Sequence, residues 1–294
     1  MTDPAISVTN VTRRFGSTVA VDDLSFDVPK GSIFGLIGTN GAGKTTLIRM
    51  LVGHLHCDSG SVHVLGSEPW SHDTDTRRRV AYVSDQMQLP RDLTLSNVLA
   101  MNAGFFPKWN ADVAASLAEE FKVWANKKYR ELSFGQQRRA VLAQALAQGA
   151  DVLILDEPAS GLDPRGRRQF LDTLLSAAVD GGQTVLFSSH MLTDVERVVD
   201  RVAVIADGQL RITSDLESLK SRLRRLRIDG TVDVDEIKSR FTVLEHRVSN
   251  GVTELLVDAF DDAEWQEFSG RLKNAVMVET LNLEEMFLEL TADC

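Results

Sequence analysis

A glycine-rich segment early in the chain carries the residue types that bind phosphate. Residues 38–45 read GTNGAGKT and fit the pattern G-x-x-x-x-G-K-[ST] at every fixed position. Glycines in such a loop let backbone N–H groups curl around phosphate oxygens. The lysine of the pattern reaches the β- and γ-phosphates, and the hydroxyl that follows it ligates Mg²⁺. The segment therefore predicts a nucleoside triphosphate site in which Lys44 contacts phosphate and Thr45 holds Mg²⁺.

Two carboxylates follow a short apolar run in the middle of the chain. Residues 152–155 are apolar, and Asp156 and Glu157 come directly after them. An acidic residue at the end of a buried strand lies where it can partner the metal of a phosphate site. A second carboxylate beside it can orient and polarise an attacking water. The pair predicts hydrolysis of the bound triphosphate, with Asp156 on Mg²⁺ and Glu157 on the water.

The elements on either side of the glycine-rich segment are those that a phosphate site requires. Residues 33–37 form a short apolar run typical of a buried strand, and from Thr46 the apolar residues recur at helical spacing. A strand, a glycine-rich loop and a helix in succession place the positive N-terminus of the helix at the phosphates. Short strands and helices continue to alternate as far as residue 214, and this pattern predicts an α/β core.

Three further segments, together with the two above, make residues 5–214 resemble the ATP-binding subunit of an ATP-binding cassette (ABC) transporter. Residues 132–137 read LSFGQQ and are similar to the signature motif of that family, normally LSGGQ. Residues 160–163 (SGLD) resemble the family's D-loop, and His190 resembles its switch histidine. Five motifs in the family's order are far more specific than any one of them. The resemblance implies a P-loop NTPase core with a helical subdomain over about residues 95–148, and ATP with Mg²⁺ as ligands.

The resemblance also implies a role for each motif residue. Glu157, His190 and Lys44 would be the catalytic residues. The ATP-binding residues that it implies are Phe15, Gly38, Thr39, Asn40, Gly41, Ala42, Gly43, Lys44, Thr45, Thr46, Ser133, Phe134, Gly135, Gln136 and Asp163. Among them, Phe15 stands where the family places an aromatic ring that stacks on adenine.

The chain departs from the family pattern at two positions. Asp85 stands where the family has the glutamine of its Q-loop, and Gln86 follows one place later. Either residue is a candidate to contact Mg²⁺ and to sense the membrane subunit. Phe134 replaces a glycine of the signature motif, and it would be strained if that glycine is used for a positive φ. We expect Phe134 to be tolerated, with its ring pointing away from the nucleotide.

In ABC transporters, two ATP-binding subunits dimerise head to tail, and each nucleotide lies between the phosphate loop of one chain and the signature motif of the other. The resemblance thus implies an ATPase that works as a homodimer or beside a paired ABC subunit, and that drives a membrane-spanning permease. Residues 283–290 resemble the C-terminal segment of prokaryotic exporters of the ABC-2 type. Two alternatives stay open: an ABC ATPase that regulates or remodels a cytosolic complex, and a membrane-tethered ATPase that signals without moving a solute.

The last part of the chain differs from the rest in charge and in its order of elements. Residues 1–214 carry 22 basic and 24 acidic residues, whereas residues 215–294 carry 10 and 18. After residue 215 the predicted order is β-α-β-β-α-β, as in ferredoxin-like domains, with a strong hairpin signal at Ser249-Asn250-Gly251. We therefore predict an ATP-binding domain at residues 1–214. Residues 215–294 are predicted to form a small α+β domain that regulates the protein or contacts its copy in the dimer.

The composition narrows the setting in which the protein works. With 32 Lys and Arg against 42 Asp and Glu, the net charge is −10, which argues against a nucleic-acid binder. No stretch approaches the roughly 20 apolar residues that span a bilayer, so any membrane crossing must come from another chain. Two distant cysteines, Cys57 and Cys294, fit a reducing cytosol better than a disulfide framework. We expect a cytoplasmic protein that is peripheral on the cytoplasmic face of the cell membrane.

Overall fold

The structure is a computed structural model that describes residues 3–71, 73–120, 126–230, 232–270 and 275–291. The chain divides into two compact units, residues 1–210 and residues 211–294. The domain boundary predicted from the sequence, between residues 214 and 215, lies near this division. Residues 121–125 of the predicted helical subdomain, and Cys294, fall outside the described residues.

The first unit is built from strands that alternate with helices. Its strands are β1 (Ile6–Phe15), β2 (Thr18–Val28), β3 (Ile33–Ile37), β4 (Ser59–Val64), β5 (Val80–Ser84), β6 (Val152–Asp156), β7 (Thr184–Ser189), β8 (Arg201–Ala206) and β9 (Gln209–Asp215), the last of which runs across the division. Its helices are α1 (Lys44–Leu51), α2 (Thr74–Arg78), α3 (Leu95–Ala103), α4 (Ala111–Glu120), α5 (Phe134–Ala147), α6 (Pro164–Gly181) and α7 (Leu192–Val198). A 3₁₀ turn at Tyr129–Glu131 precedes α5.

The central sheet has the strand order β5-β6-β7-β3-β8-β9. The pairs β5–β6, β6–β7, β7–β3 and β3–β8 are all parallel. Every residue of β3, β6 and β7 is buried, as expected for parallel strands that are covered on both faces. Strands β2, β1 and β4 form a separate antiparallel sheet. The α/β core predicted from the sequence is confirmed.

The parallel register of the central sheet aligns the ends of its strands. Ile37 lies opposite Ser189, and Asp156 lies opposite both Ser84 and Ser188. The segments that follow these strand ends therefore meet at the carboxyl edge of the sheet. Among them are the glycine-rich loop and the segments that carry the predicted carboxylates and histidine. Open α/β sheets bind their ligands at this edge.

Apolar packing fixes the helix that follows the glycine-rich loop. Leu47 and Ile48 of α1 are fully buried in a core that also contains residues of β1, β2 and β3. In that core, Phe26 of β2 stacks on Phe34 of β3 with ring centroids 5.4 Å apart. Because these contacts hold α1 in place, its N-terminus stays at the end of the loop.

The second unit has the element order that the sequence predicts. It contains α8 (Leu216–Arg222), β10 (Arg224–Asp229), α9 (Val234–Lys238), β11 (Thr242–Ser249), β12 (Val252–Asp258), α10 (Asp262–Ser269), β13 (Val276–Thr280) and α11 (Leu283–Leu290). The strands form an antiparallel sheet in the order β11-β12-β10-β13, the ferredoxin-like arrangement.

Local backbone chemistry and a separate core explain this second unit. Asn250 (φ 51°) and Gly251 (φ 79°) join β11 to β12, and two successive positive φ values are those of the turn that Asn-Gly favours. On one side of the sheet, Phe241, Trp265 and Phe268 pack together, with centroids 5.5 Å apart for Phe241–Trp265 and 5.6 Å for Trp265–Phe268. These rings belong to a cluster with buried residues of β10 and β12.

Candidate nucleotide-binding and hydrolysis site

The phosphate loop (residues 38–45) connects the end of β3 to the first turn of α1. Gly41 and Gly43 have φ values of +88° and +101°, which side chains rarely allow. A Cβ on Gly43 would lie 2.3 Å from the carbonyl oxygen of Ala20, and one on Gly38 would lie 2.5 Å from that of Ile205. Close backbone approach at both ends of the loop therefore requires glycine, as the motif predicts.

Lys44 is buried at the first position of α1. Its side-chain Nζ donates hydrogen bonds to the carbonyl oxygens of Gly38 (2.8 Å) and Thr39 (3.1 Å), and it lies 3.7 Å from Oε1 of Glu157. Burial lowers the pKa of Lys44, while the negative charges of Glu157 and Asp156 oppose that change. A cation and a helix N-terminus thus meet at one point, and both favour an anion there.

The predicted carboxylate pair is held by a serine that sequence reasoning missed. The Ser188 hydroxyl donates to Oδ1 of Asp156 at 2.7 Å and accepts the backbone N–H of Glu157 at 3.0 Å. Asp156 is buried, and Glu157 has a left-handed φ of +49°, which is unusual for a residue with a side chain. Ser188 therefore stabilises both the orientation of the first carboxylate and the backbone turn of the second.

The second carboxylate faces both the lysine and the predicted switch histidine. Oε2 of Glu157 lies 2.8 Å from Nδ1 of His190, in hydrogen-bond distance. Its other oxygen, Oε1, is buried and has no hydrogen-bond partner among the described residues. The structure thus brings together Lys44, Asp156, Glu157 and His190, and it leaves one carboxylate oxygen able to accept a hydrogen bond.

The donor set beside this cluster fits Mg²⁺. Thr45 is exposed at the start of α1, next to Lys44. A hydroxyl and one carboxylate, here Thr45 and Asp156, match the usual way in which proteins hold Mg²⁺, with substrate phosphates and waters as the other ligands. Oε1 of Glu157 is buried and accepts no hydrogen bond from the described residues, although it lies 3.7 Å from the Lys44 ammonium, so the cluster has acceptor capacity beyond its own hydrogen bonds.

The two candidates for the Q-loop position lie directly after β5. The backbone N–H of Asp85 donates to the carbonyl oxygen of Asp156 at 3.0 Å. The Asp85 side chain is partly buried, and Gln86 is exposed. The structure thus ties the Asp85 backbone to Asp156, a member of the catalytic cluster of Lys44, Asp156, Glu157 and His190.

The signature segment (residues 132–137) forms the start of α5. Ser133 caps the helix: its hydroxyl accepts the N–H of Gln136 at 3.3 Å, and the Gln136 side chain accepts the N–H of Ser133 at 3.0 Å. Phe134 is the first residue of the helix, so it has a backbone conformation that any residue adopts. The positive φ that would strain Phe134 is absent, since this position is helical.

A second group of predicted residues forms around the signature segment and the D-loop segment (residues 160–163). A Cβ on Gly161 would lie 2.7 Å from Cε1 of Phe134, so the phenylalanine ring packs against the D-loop backbone. Asp163 caps α6, because its Oδ1 accepts the N–H of Gly166 at 2.6 Å. The contacts described for these residues lie within the signature and D-loop segments or directly beside them, and none of these contacts is with the phosphate loop.

Phe15 lies at the end of β1, apart from both groups. Its ring is 49% exposed, and the guanidinium carbon of Arg13 lies 4.9 Å from the ring centroid. Asp58 accepts a hydrogen bond from the Arg13 side chain at 2.7 Å and another from the Arg14 backbone at 2.7 Å. An exposed ring on an anchored strand end is compatible with base stacking.

Known proteins are similar to this chain in sequence and in fold. The sequence profile of the ABC transporter family matches residues 21–160. The chain is 39% identical over 210 residues to Nod factor export ATP-binding protein I of Burkholderia lata, covering 69% of this chain and 68% of the relative. The chain belongs to the ABC transporter family.

Two other relatives extend the similarity. The ATP-binding protein YtrB of Bacillus subtilis is 28% identical over 284 residues, covering 96% of this chain and 97% of the relative. The bacitracin transport ATP-binding protein BcrA of Bacillus licheniformis is 34% identical over 226 residues, covering 75% of this chain and 72% of the relative. The family identification made from the sequence is confirmed.

Solved structures show the same fold. An ATP-binding cassette of an ABC transporter in its ADP conformation is 26% identical, with a TM-score of 0.60 over 73% of this chain and 92% of that one. A dimeric cassette in a post-hydrolysis state, bound to ADP and Pi, has a TM-score of 0.64 and 22% identity over 72% of this chain and 98% of that one. This ABC protein is an ATP-binding subunit that hydrolyses ATP. In the described parts of the chain, no helix has both the length and the apolar character to span a bilayer.

The phosphate loop generates a prediction about its two left-handed glycines. Gly41→Ala should lower the free energy of unfolding by about 1–2 kcal/mol, the usual cost of a left-handed residue with a Cβ. Gly43→Ala should lower it further, because its Cβ would also lie 2.3 Å from the Ala20 carbonyl oxygen, whereas a Cβ on Gly41 meets nothing within 4 Å. Urea unfolding of the two variants measures the difference. Equal losses would show that the approach of Ala20 does not constrain the loop.

Proposed function

We propose that this ABC subunit powers export by a separate membrane-spanning permease, as a head-to-tail homodimer on the cytoplasmic face of the membrane. The meeting of Lys44, Asp156, Glu157 and His190 at one edge of the sheet is the observation that carries the hydrolytic part of the proposal. Two relatives are named for Nod factor export and bacitracin transport, and these names support an exporter of the ABC-2 type.

Each residue of the catalytic cluster has a role that follows from its contacts. Lys44 contacts the β- and γ-phosphates, because its ammonium already lies at the N-terminus of α1 and inside the phosphate loop. Glu157 orients and polarises the attacking water through Oε1, the oxygen with no hydrogen-bond partner in the described structure. His190 holds the other carboxylate oxygen at 2.8 Å and so fixes the rotation of the Glu157 side chain.

Magnesium is the metal of this proposal. Thr45 and Asp156 hold it, and Asp85 is our candidate for the Q-loop role because its N–H binds the Asp156 carbonyl. When bound, Mg²⁺ neutralises charge on the β- and γ-phosphates during phosphoryl transfer. Ser188 contributes by holding Asp156 in the orientation that it has in this structure, through the 2.7 Å hydrogen bond.

The dimer follows from the position of the signature segment. Ser133 accepts the N–H of Gln136, and its own hydroxyl proton can be donated to a phosphate oxygen of a nucleotide held by the partner. The N-terminus of α5, which begins at Phe134, favours the same anion. We assign Ser133, Phe134, Gly135, Gln136 and Asp163 to this interface, and Phe15 to the adenine of the chain's own nucleotide.

The catalytic proposal predicts a separation between binding and hydrolysis. Glu157→Gln keeps the size of the side chain and removes its charge, so ATP binding should survive while hydrolysis falls by about two to four decades, the usual contribution of a positioned acid–base group. Because ATP holds the dimer together, the variant should run as a dimer on a sizing column with ATP and Mg²⁺. Wild-type protein should return to monomer as ATP is consumed.

Two further variants make this prediction specific. Glu119→Gln removes an exposed carboxylate on α4 and should hydrolyse ATP like the wild type. Ser133→Ala, combined with Glu157→Gln, should weaken the trapped dimer. Wild-type hydrolysis in Glu157→Gln would move the catalytic role elsewhere, with His190 the next candidate.

The permease is tested by purification from native membranes in mild detergent. We expect a polytopic membrane protein to accompany the tagged subunit in a constant ratio, and to remain with Glu157→Gln. Recovery of the subunit with only cytosolic proteins would instead favour an ATPase that regulates a cytosolic complex.

We assign the second unit to regulation or to contact with its own copy. It has a separate hydrophobic core, and residues 215–294 contain no glycine-rich phosphate motif. A chain that ends at Ser214 should therefore bind ATP like the full chain but differ in dimerisation or in ATPase rate. Isothermal titration and sizing chromatography measure the two properties. Loss of ATP binding through unfolding would show that residues 1–214 do not form an independent domain.

A further inference from the structure

The two residues that depart from the family pattern, Asp85 and Phe134, share one neighbour, Arg138. Phe134 and Arg138 are four residues apart on α5, so their side chains lie on the same face of the helix. The guanidinium carbon of Arg138 lies 5.0 Å from the centroid of the Phe134 ring. This distance is within the range of a cation–π interaction.

Arg138 also binds the end of β5, the strand that Asp85 directly follows. Its Nη1 donates a hydrogen bond to the carbonyl oxygen of Ser84 at 3.1 Å, directly before Asp85 in the chain. Burial lowers the pKa of Arg138, and the nearby Asp85 carboxylate opposes that change. Arginine stays charged in either case. A single charged side chain therefore joins α5 to the strand end that bears the Q-loop candidate.

The contacts of Phe134 extend this connection to the D-loop segment. A Cβ on Gly161 would lie 2.7 Å from Cε1 and 3.0 Å from Cζ of the ring. Gly161 has a φ of +74°, so the close approach and the backbone conformation both require glycine there. The signature segment also approaches the D-loop segment at a second point, since a Cβ on Gly135 would lie 3.6 Å from Cδ2 of Leu162.

We propose that Arg138 is a positioning residue that ties the signature segment to the Asp85 strand end and, through Phe134, to the D-loop segment. The proposal rests on the proposed function, in which the signature segment meets the partner's nucleotide. The Arg138 guanidinium fixes the first turn of α5 from one side, and the Phe134 ring fixes it against Gly161 from the other. Ser133, at the helix start, is thereby held where it can donate to phosphate.

The test is a double-mutant cycle in the Glu157→Gln background, where the dimer persists with ATP. Arg138→Gln and Phe134→Leu should each raise the dimer dissociation constant by about 10- to 100-fold, the usual effect of losing one hydrogen bond to a charged group, here the bond from Ser133 to phosphate. The double variant should be no weaker than the worse single variant, because both changes break the same connection. ADP affinity of the monomer should stay within about twofold, since the phosphate loop is unchanged.

A matched control and a second variant keep the result interpretable. Arg197→Gln removes an arginine that pairs with Asp172 on the surface of the same unit, and it should leave the dimer unchanged. Arg138→Lys keeps the positive charge and loses the planar guanidinium that lies over the Phe134 ring, so it should weaken the dimer in the same direction as Arg138→Gln, and it serves as the test if Arg138→Gln does not fold.

The outcomes separate the two proposals. No ATP-dependent dimer of Glu157→Gln alone would overturn the proposed function. A trapped dimer that is unaffected by Arg138→Gln, or losses in the double variant equal to the product of the single losses, would overturn the positioning role. Equal weakening of ADP binding and dimerisation would also overturn it, because that pattern indicates general destabilisation of the fold.

Discussion

The parallel pairing of β6 with β7 is the constraint on which the catalytic cluster depends. It places Asp156 opposite Ser188, and the serine hydroxyl then binds both the Asp156 carboxylate and the Glu157 backbone. The left-handed turn at Glu157 follows from that hydrogen bond, and the turn aims the carboxylate at His190 and Lys44. A strained backbone conformation persists only where the surrounding structure holds it in place. Here Ser188, on the neighbouring strand β7, holds the backbone of Glu157.

The buried lysine shows how the site is prepared for a triphosphate. Removing an ammonium from water is unfavourable, and this is why burial lowers the pKa of Lys44. Two loop carbonyls and the Glu157 carboxylate partly offset that cost at 2.8, 3.1 and 3.7 Å. A phosphate group brings more negative charge than these groups do, so the lysine interacts with it strongly and with little reorganisation.

The sequence predicted those features that depend on local residue order. Glycines in the phosphate loop, the Asn250-Gly251 turn and the position of Glu157 at a strand end all follow from neighbouring residues. The roles of Ser188 and Arg138 could not be predicted, because they depend on which strands are adjacent. The sheet order β5-β6-β7-β3 differs from the chain order, and no sequence spacing indicates that Ser84 lies beside α5. The condition under which Phe134 would be strained, a positive φ, does not apply at the start of a helix.

The two departures from the family pattern are better understood together than singly. A glycine at position 134 would offer no ring to the Arg138 guanidinium and would leave the Gly161 backbone uncovered on that side. A glutamine at position 85 would remove the negative charge that favours the charged arginine at the end of β5. Phenylalanine and aspartate thus each act on the same arginine, one through its π-face and the other through its charge. If the roles of residues 85 and 134 are assigned from their motif positions alone, their dependence on each other is overlooked. The effect of each residue is set by Arg138, the side chain that lies between them.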